Sequence, residues 1–210
     1  MSEVREATVV KRVRLAPDAR RAQLIQLGVQ MLATRRLEDL SVEVLADEAG
    51  ISRGLLFHYF RSKQEFHLEV VRACARELLE RTKPDPKLPP LEQLRTSLGA
   101  YIDYVAQNRD VYVSLVRGAA SGDAAVREVA EETRTEQANR VLKHLDALGL
   151  PGVARTELAV RGWVAFCEEV VVSWLASEAG PPRDELLALL ADALPSVVIT
   201  ADSHWLRDLS

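Results

Sequence analysis

Between Ser41 and Lys63 the chain reads SVEVLADEAGISRGLLFHYFRSK, and few folds accommodate that spacing of helix starts and stops. Ser41 offers a side-chain oxygen to cap a short helix running through Ala49. Gly50 supplies the left-handed backbone that ends it, and Ile51 turns back toward the interior. Ser52 caps a second short helix through about Tyr59. Ser62 with Glu65 makes a capping box that opens a longer helix to about Thr82. Leu45, Ala46, Ala49, Ile51, Leu56 and Phe60 pack the two short helices at a steep angle, the alanines allowing close approach. The second helix then presents Arg53, Gly54, Leu55, Phe57, His58 and Tyr59 outward. This is a helix-turn-helix.

The rest of the chain has helical periodicity broken by proline and glycine. A first helix begins at Pro17, with Asp18 suiting its N-terminal dipole and Ala22, Ile25, Val29, Leu32 and Ala33 as its apolar stripe. Arg35 and Arg36 fall near its C-terminal end. Pro84, Pro86, Pro89 and Pro90 make residues 83–90 a connector. Helices are predicted over 91–107, 109–119, 124–148, 154–179 and 183–194, the fourth and fifth of these separated by Gly180-Pro181-Pro182. Ser121-Gly122-Asp123 is a break, and Pro195 is expected to stop or kink the last helix. No strand pattern, repeat or low-complexity segment interrupts this, so the class is all-α. The expected organisation is a flexible basic arm over 1–16, a three-helix head over 17–63 and a helical body over 64–210.

Composition narrows the classes. A chain of 210 residues that is 48% hydrophobic and 28% charged buries a sizeable core. The apolar run from Trp163 to Leu175 is interrupted by Glu168 and Glu169 and is too short to span a membrane. The N-terminus has no apolar run behind its Arg and Lys residues, so no signal peptide is expected. Cys74 and Cys167 each sit alone in a helical pattern and read as buried free thiols of a reducing cytoplasm. Charge is uneven: 11 Lys and Arg against 8 Asp and Glu up to Lys63, then 16 against 23. A basic front on an acidic body suits a protein presenting one end to a polyanion.

Over Ala22 to about Val71 the chain resembles the DNA-binding domain of the TetR family of bacterial regulators, through the LADEAGIS turn, LLFHYFRSK and the Lys-led fourth helix. The resemblance implies a homodimeric, ligand-responsive repressor on a near-palindromic operator. It makes Lys63 a phosphate contact at a helix N-terminus, Ser41 a phosphate-bonding hydroxyl and Tyr59 a backbone contact. Arg53 is the expected base reader, because its fork bonds guanine O6 and N7 together. Ser52 begins the recognition helix, Gly54 permits close approach to DNA, and Leu55 packs on a thymine methyl. Phe57 stands where the family usually has tyrosine and so lacks that hydroxyl. Two further readings stand beside these. Phe57 and Tyr59 also fit as core aromatics and His58 as a surface residue; Lys11, Arg12 and Arg14 fit either a minor-groove arm or a solvated tail.

For the body the resemblance implies a ligand held between helices. Tyr101, Val105, Tyr112, Val116, Trp163, Phe166 and Val170 are the expected lining, among Leu98, Ile102 and Leu115, although a stripe at helical spacing is also plain core. Arg117, Asn108 and Glu169 are the polar groups available to orient a small apolar or amphipathic ligand, or else are surface residues. Val160, Trp163, Val164, Val171, Trp174 and Leu175, with Leu186, Leu187, Leu189, Leu190 and Leu194, exceed one apolar stripe per helix and predict a twofold four-helix interface.

No enzyme signature is present. Glu131-Glu132 and Glu168-Glu169 point apart on their helices, and His58, His67, His144 and His204 have no metal-ligand spacing with one another or with either cysteine. The chain lacks GxGxxG, Walker and GxSxG loops, and no cofactor is implied. The competing reading is a helical ligand-binding or interaction module without specific DNA binding.

Overall fold

The computed structural model describes residues 16–32, 39–110, 112–113, 116, 123–150 and 153–201. The arm residues Lys11, Arg12 and Arg14 lie outside these, as do Ala33, Arg35, Arg36, Leu115, Arg117, Ser121, Gly122 and His204. The described elements are helices: α1 (Pro17–Met31), α2 (Val42–Glu48), α3 (Arg53–Tyr59), α4 (Lys63–Arg81), α5 (Pro90–Gln107), α6 (Ala124–Ala147), α7 (Ala154–Ala176) and α8 (Arg183–Ala201).

In the head, Leu24, Ile25, Met31, Leu32, Leu40, Leu45, Leu56, Phe60, Phe66 and Val70 form one buried cluster. The face α1 turns inward follows the expected stripe at Ile25, Val29 and Leu32 and adds Leu24, Gly28 and Met31, while Ala22 is exposed. Gly28 sets how closely that face seats. A Cβ there meets Phe66 Cζ and Val70 Cγ2 at 2.7 Å, so a glycine-sized gap lets α1 lie directly on α4. Arg21 reinforces this contact, pairing with Glu69 at 3.2 Å and Glu65 at 3.4 Å across α1 and α4 with its guanidinium 5.0 Å from the Phe60 ring centroid.

The body is a second cluster, built by α5, α7 and α8 around Ile102, Val105, Val160, Trp163, Val171, Leu186 and Leu190. Arg183 clamps α8 to α5 by a bidentate pair with Asp103 at 2.6 and 2.7 Å, and Arg140 of α6 donates to the Leu79 carbonyl near the end of α4 at 2.6 Å. Helix α4 serves both units, because Val71 and Ala75 pack on Val126, Val129 and Ala130 of α6.

Two helix ends differ from expectation. Helix α7 stops at Ala176, before the turn at Gly180, whose missing Cβ leaves room for the Trp174 ring. Helix α8 continues through Pro195 to Ala201, so of the two effects expected of that proline, a stop or a kink, the stop does not occur. Proline deletes one helical hydrogen bond, and burial of Leu194 and Val198 on either side of it holds the helix together. Among the described residues no helix is long and apolar enough to cross a membrane.

Candidate DNA interface and ligand cavity

The turn between α2 and α3 is a Schellman motif. Gly50, at φ 61°, donates to the Asp47 carbonyl at 3.1 Å, and Ile51 donates to the Ala46 carbonyl at 3.0 Å. Ser41 Oγ accepts from the Val44 amide and Ser52 Oγ from the Leu55 amide, both at 3.2 Å, so each serine caps its helix. Ser62 Oγ accepts from Glu65 N at 3.1 Å, but the Glu65 carboxylate reaches the Arg61 amide at 2.8 Å, one residue before the cap. With Leu56 and Phe60 anchored in the core, α3 turns Arg53, Gly54, Leu55, Phe57 and His58 to solvent.

Phe57 is 51% exposed and is therefore not a core aromatic, whereas Tyr59 is half-buried against the head cluster, with its ring 5.4 Å from that of His58. Arg53 is engaged in an exposed ion pair with Glu43 of α2 at 3.2 Å, a partner its spacing did not suggest. The Glu43 carboxyl is held below its usual range, chiefly by its own backbone amide and then by Arg53, the Ser41 hydroxyl and Lys63. Lys63 begins α4, and its charge reaches both Glu43 and His67. A cation leads this helix beside the open face of α3.

In the body a cavity of about 100 Å³ lies between α5, α6 and α7, near the end of α4. Its apolar wall includes Leu94, Leu98, Trp163, Val164 and Leu194; its polar wall includes Ser97, Gln137, Arg140, His144 and Glu168. Of the expected lining, Tyr101 and Trp163 belong to it. Tyr112 is buried behind Tyr101, their hydroxyls 2.6 Å apart, and Val105 is fully buried. Phe166 faces a separate groove between α7 and α8, while Val116 and Val170 pack on the body cluster. Asn108 caps α5 by donating to the Tyr104 carbonyl at 2.8 Å, and Glu169 is exposed and accepts from Ser173.

The acid at the cavity is the neighbouring Glu168, which accepts from Arg134 Nε at 2.7 Å. Burial holds its carboxyl above the usual range, against the pull of Arg134. Burial likewise pushes the Cys74 thiol up to about 12 and Cys167 further, so both are poor nucleophiles. Among the described residues no group of three or more His, Cys, Asp and Glu is placed to hold a metal.

Two family profiles cover these parts. The profile described as "Bacterial regulatory proteins, tetR family" matches residues 24–70, and "Tetracyclin repressor-like, C-terminal domain" matches residues 90–196. The chain belongs to the TetR family. It is therefore a DNA-binding transcriptional regulator rather than an enzyme, and its helix-turn-helix is the DNA-binding element.

Similar proteins of known sequence or structure agree with membership of the TetR family. The HTH-type transcriptional repressor KstR2 of Mycolicibacterium smegmatis is 40% identical over 80 residues, covering 37% of this chain and 39% of the repressor; the chain thus spans about two fifths of that relative. A TetR-family regulator from Streptomyces coelicolor superposes with a TM-score of 0.81 at 27% identity, over 90% of this chain and 85% of that one. The fold extends to the FadR regulator of Bacillus subtilis, solved in complex with stearoyl-CoA, at a TM-score of 0.63 and 16% identity over 82% and 96% of the two chains.

The cavity's polar residues escaped the sequence reading, although a signal existed. Gln137, Val141, His144 and Leu145 follow i, i+4, i+7, i+8 spacing on α6, a helix whose abundant charges mask that stripe.

Proposed function

We propose that this regulator represses transcription as a homodimer on a near-palindromic operator and is released when a small ligand occupies the body cavity. The observation that carries the DNA-reading half is the solvent-facing row Arg53, Gly54, Leu55, Phe57 and His58 on a helix anchored from behind by Leu56 and Phe60. The head over 17–63 reads DNA and the body over 64–210 binds ligand and dimerises. Arg53 leaves Glu43 to read a base, Gly54 allows the helix to approach the groove, and Leu55 and Phe57 make apolar contacts. Ser41, Ser52, Tyr59 and Lys63 hold the phosphates. A serine hydroxyl that accepts from an amide still carries a proton to donate.

The ligand half rests on α4. One end of that helix carries Lys63, and the cavity is lined just beyond the other end by Thr82 and Pro84. Arg140, in the cavity wall, also holds the Leu79 carbonyl of α4. A ligand that moves Arg140 or Thr82 thus moves the helix that positions the head. The dimer surface is the groove of α7 and α8, where Leu158 is 72% exposed and Phe166, Ala193 and Val197 share the lining. Of the residues expected there from sequence, Val160, Val164, Val171, Leu186, Leu190 and Leu194 are buried in the protein's own core, Trp163 is buried but lines the groove, Trp174, Leu175 and Leu187 are half-buried, and Leu189 is exposed.

Fluorescence anisotropy of a labelled operator duplex against salt tests this. The wild type should show a steep linear fall of log affinity with log salt, as released counterions require, and Lys63→Ala should reduce the slope by about one. Arg53→Ala should relax preference at one base pair, costing about 1–3 kcal/mol on the matching operator. Salt-independent binding by a folded protein contradicts the reading.

A further inference from the structure

The chemistry of the cavity narrows the ligand, an inference that rests on the ligand reading above. Among the described residues two buried polar side-chain atoms lack any hydrogen-bond partner, Ser97 Oγ and His144 Nε2, and both residues line this one cavity. They come from different helices, α5 and α6. A buried polar atom left unpaired is costly, so two of them around one space point to a partner that arrives from outside.

The charged groups of the wall already have partners within the protein. Glu168 accepts from Arg134 at 2.7 Å, while Arg140 donates to Glu136 at 2.8 Å and to the Leu79 carbonyl at 2.6 Å. The two atoms left without a partner are a hydroxyl oxygen and an imidazole nitrogen, which one ligand hydroxyl or carbonyl can meet. An added anion would face the Glu168 carboxylate, and an added cation would compete with Arg134 for it. Size sets the second limit. A cavity of roughly 150 Å³ with apolar walls holds benzene, and this one measures about 100 Å³. Its enclosed part takes only a compact group, and a slightly larger ligand reaches into its open side.

We propose that the cavity takes a compact, uncharged ligand: an apolar ring or short chain of roughly six heavy atoms, the size of benzene, bearing one hydroxyl or carbonyl. Its body lies against Leu98, Trp163 and Val164. The Ser97 hydroxyl donates to the ligand oxygen. His144 Nε2 accepts from a ligand hydroxyl in one tautomer and donates to a carbonyl in the other.

Calorimetric titration of the full chain with phenol, benzene, benzoate and palmitate tests this. Phenol should bind about tenfold more tightly than benzene, the margin of one good hydrogen bond, and benzoate should bind more weakly than phenol. Ser97→Ala should remove that advantage and leave benzene binding unchanged. The same variant, freed of an unpaired hydroxyl, should melt about 2–4 °C higher without ligand. His144→Phe, which keeps a ring and loses the nitrogen, should reproduce the loss of phenol preference. Equal binding of phenol and benzene, or phenol binding indifferent to Ser97→Ala, overturns the proposal. Palmitate binding without phenol binding overturns the compact, uncharged ligand and leaves the ligand reading standing. If none of the four binds a folded, DNA-competent protein, both fail.

Discussion

At Arg53 the protein's own Glu43 competes with DNA for one guanidinium. An exposed ion pair is weak and screened by solvent, so the competition is reversible, but the carboxylate also opposes phosphate. Glu43→Gln should therefore tighten DNA binding by up to about fivefold, read by anisotropy, with the largest gain at low salt. A loss of affinity would mean that Glu43 orients Arg53 instead of restraining it. Glycines make a paired case. A Cβ at Gly54 meets nothing within 4 Å, whereas one at Gly28 meets Phe66 and Val70 at 2.7 Å. Gly54→Ala should keep or raise stability by up to about 1 kcal/mol through helix propensity and weaken DNA binding, if the open side of α3 faces the groove. Gly28→Ala should instead destabilise, because overpacking costs about 1–3 kcal/mol against about 1 kcal/mol of propensity. Chemical denaturation of both variants separates a glycine kept for DNA from one kept for packing.

Among the elements, α4 carries the most. His67 Nε2 lies 2.8 Å from the Leu40 carbonyl and so fastens α4 to the segment before α2. Partial burial depresses the His67 pKa below 6.5, its bond to Leu40 offsetting this only in part and Lys63 adding to the depression. Between the depressed value and 6.5 the unfolded chain binds more protons than the folded one, so this contribution is present above pH 6.5 and lost as pH falls through the folded value. Denaturation midpoints should fall from pH 7.5 to 5.5 more in the wild type than in His67→Gln; equal falls would remove His67 as a source. The elements were legible to different depths in the sequence. Serine caps, Gly50 and the proline connector placed α2 to α5, because capping and turn chemistry are local. The close seating of α1 on α4 and the run of α8 through Pro195 were not legible. The first depends on the gap at Gly28 and the second on packing around Leu194 and Val198, and both are set by partners distant in sequence. The exposed row of α3 was readable by the same local logic, but Ser97, His144 and Glu168 share a cavity only once three helices meet.

For the molecule as a whole, the proposed function requires two copies. Among the described residues, Leu158 and Phe166 are exposed at the α7–α8 groove and Val197 is half-buried beside them. Leu158→Glu should leave the helical content unchanged, convert the protein to a monomer in analytical ultracentrifugation and abolish binding to a full operator while sparing weak half-site binding. A stable dimer in that variant would place the twofold elsewhere. The central claim, a dimeric reader of specific DNA, is tested most directly by selecting bound sequences from a random duplex pool with the purified full chain at moderate salt. The account predicts enrichment of a near-palindrome whose half-sites lie about one helical turn or slightly more apart, with one base preference lost in Arg53→Ala. Recovery of no sequence above background by a folded, dimeric protein would contradict it.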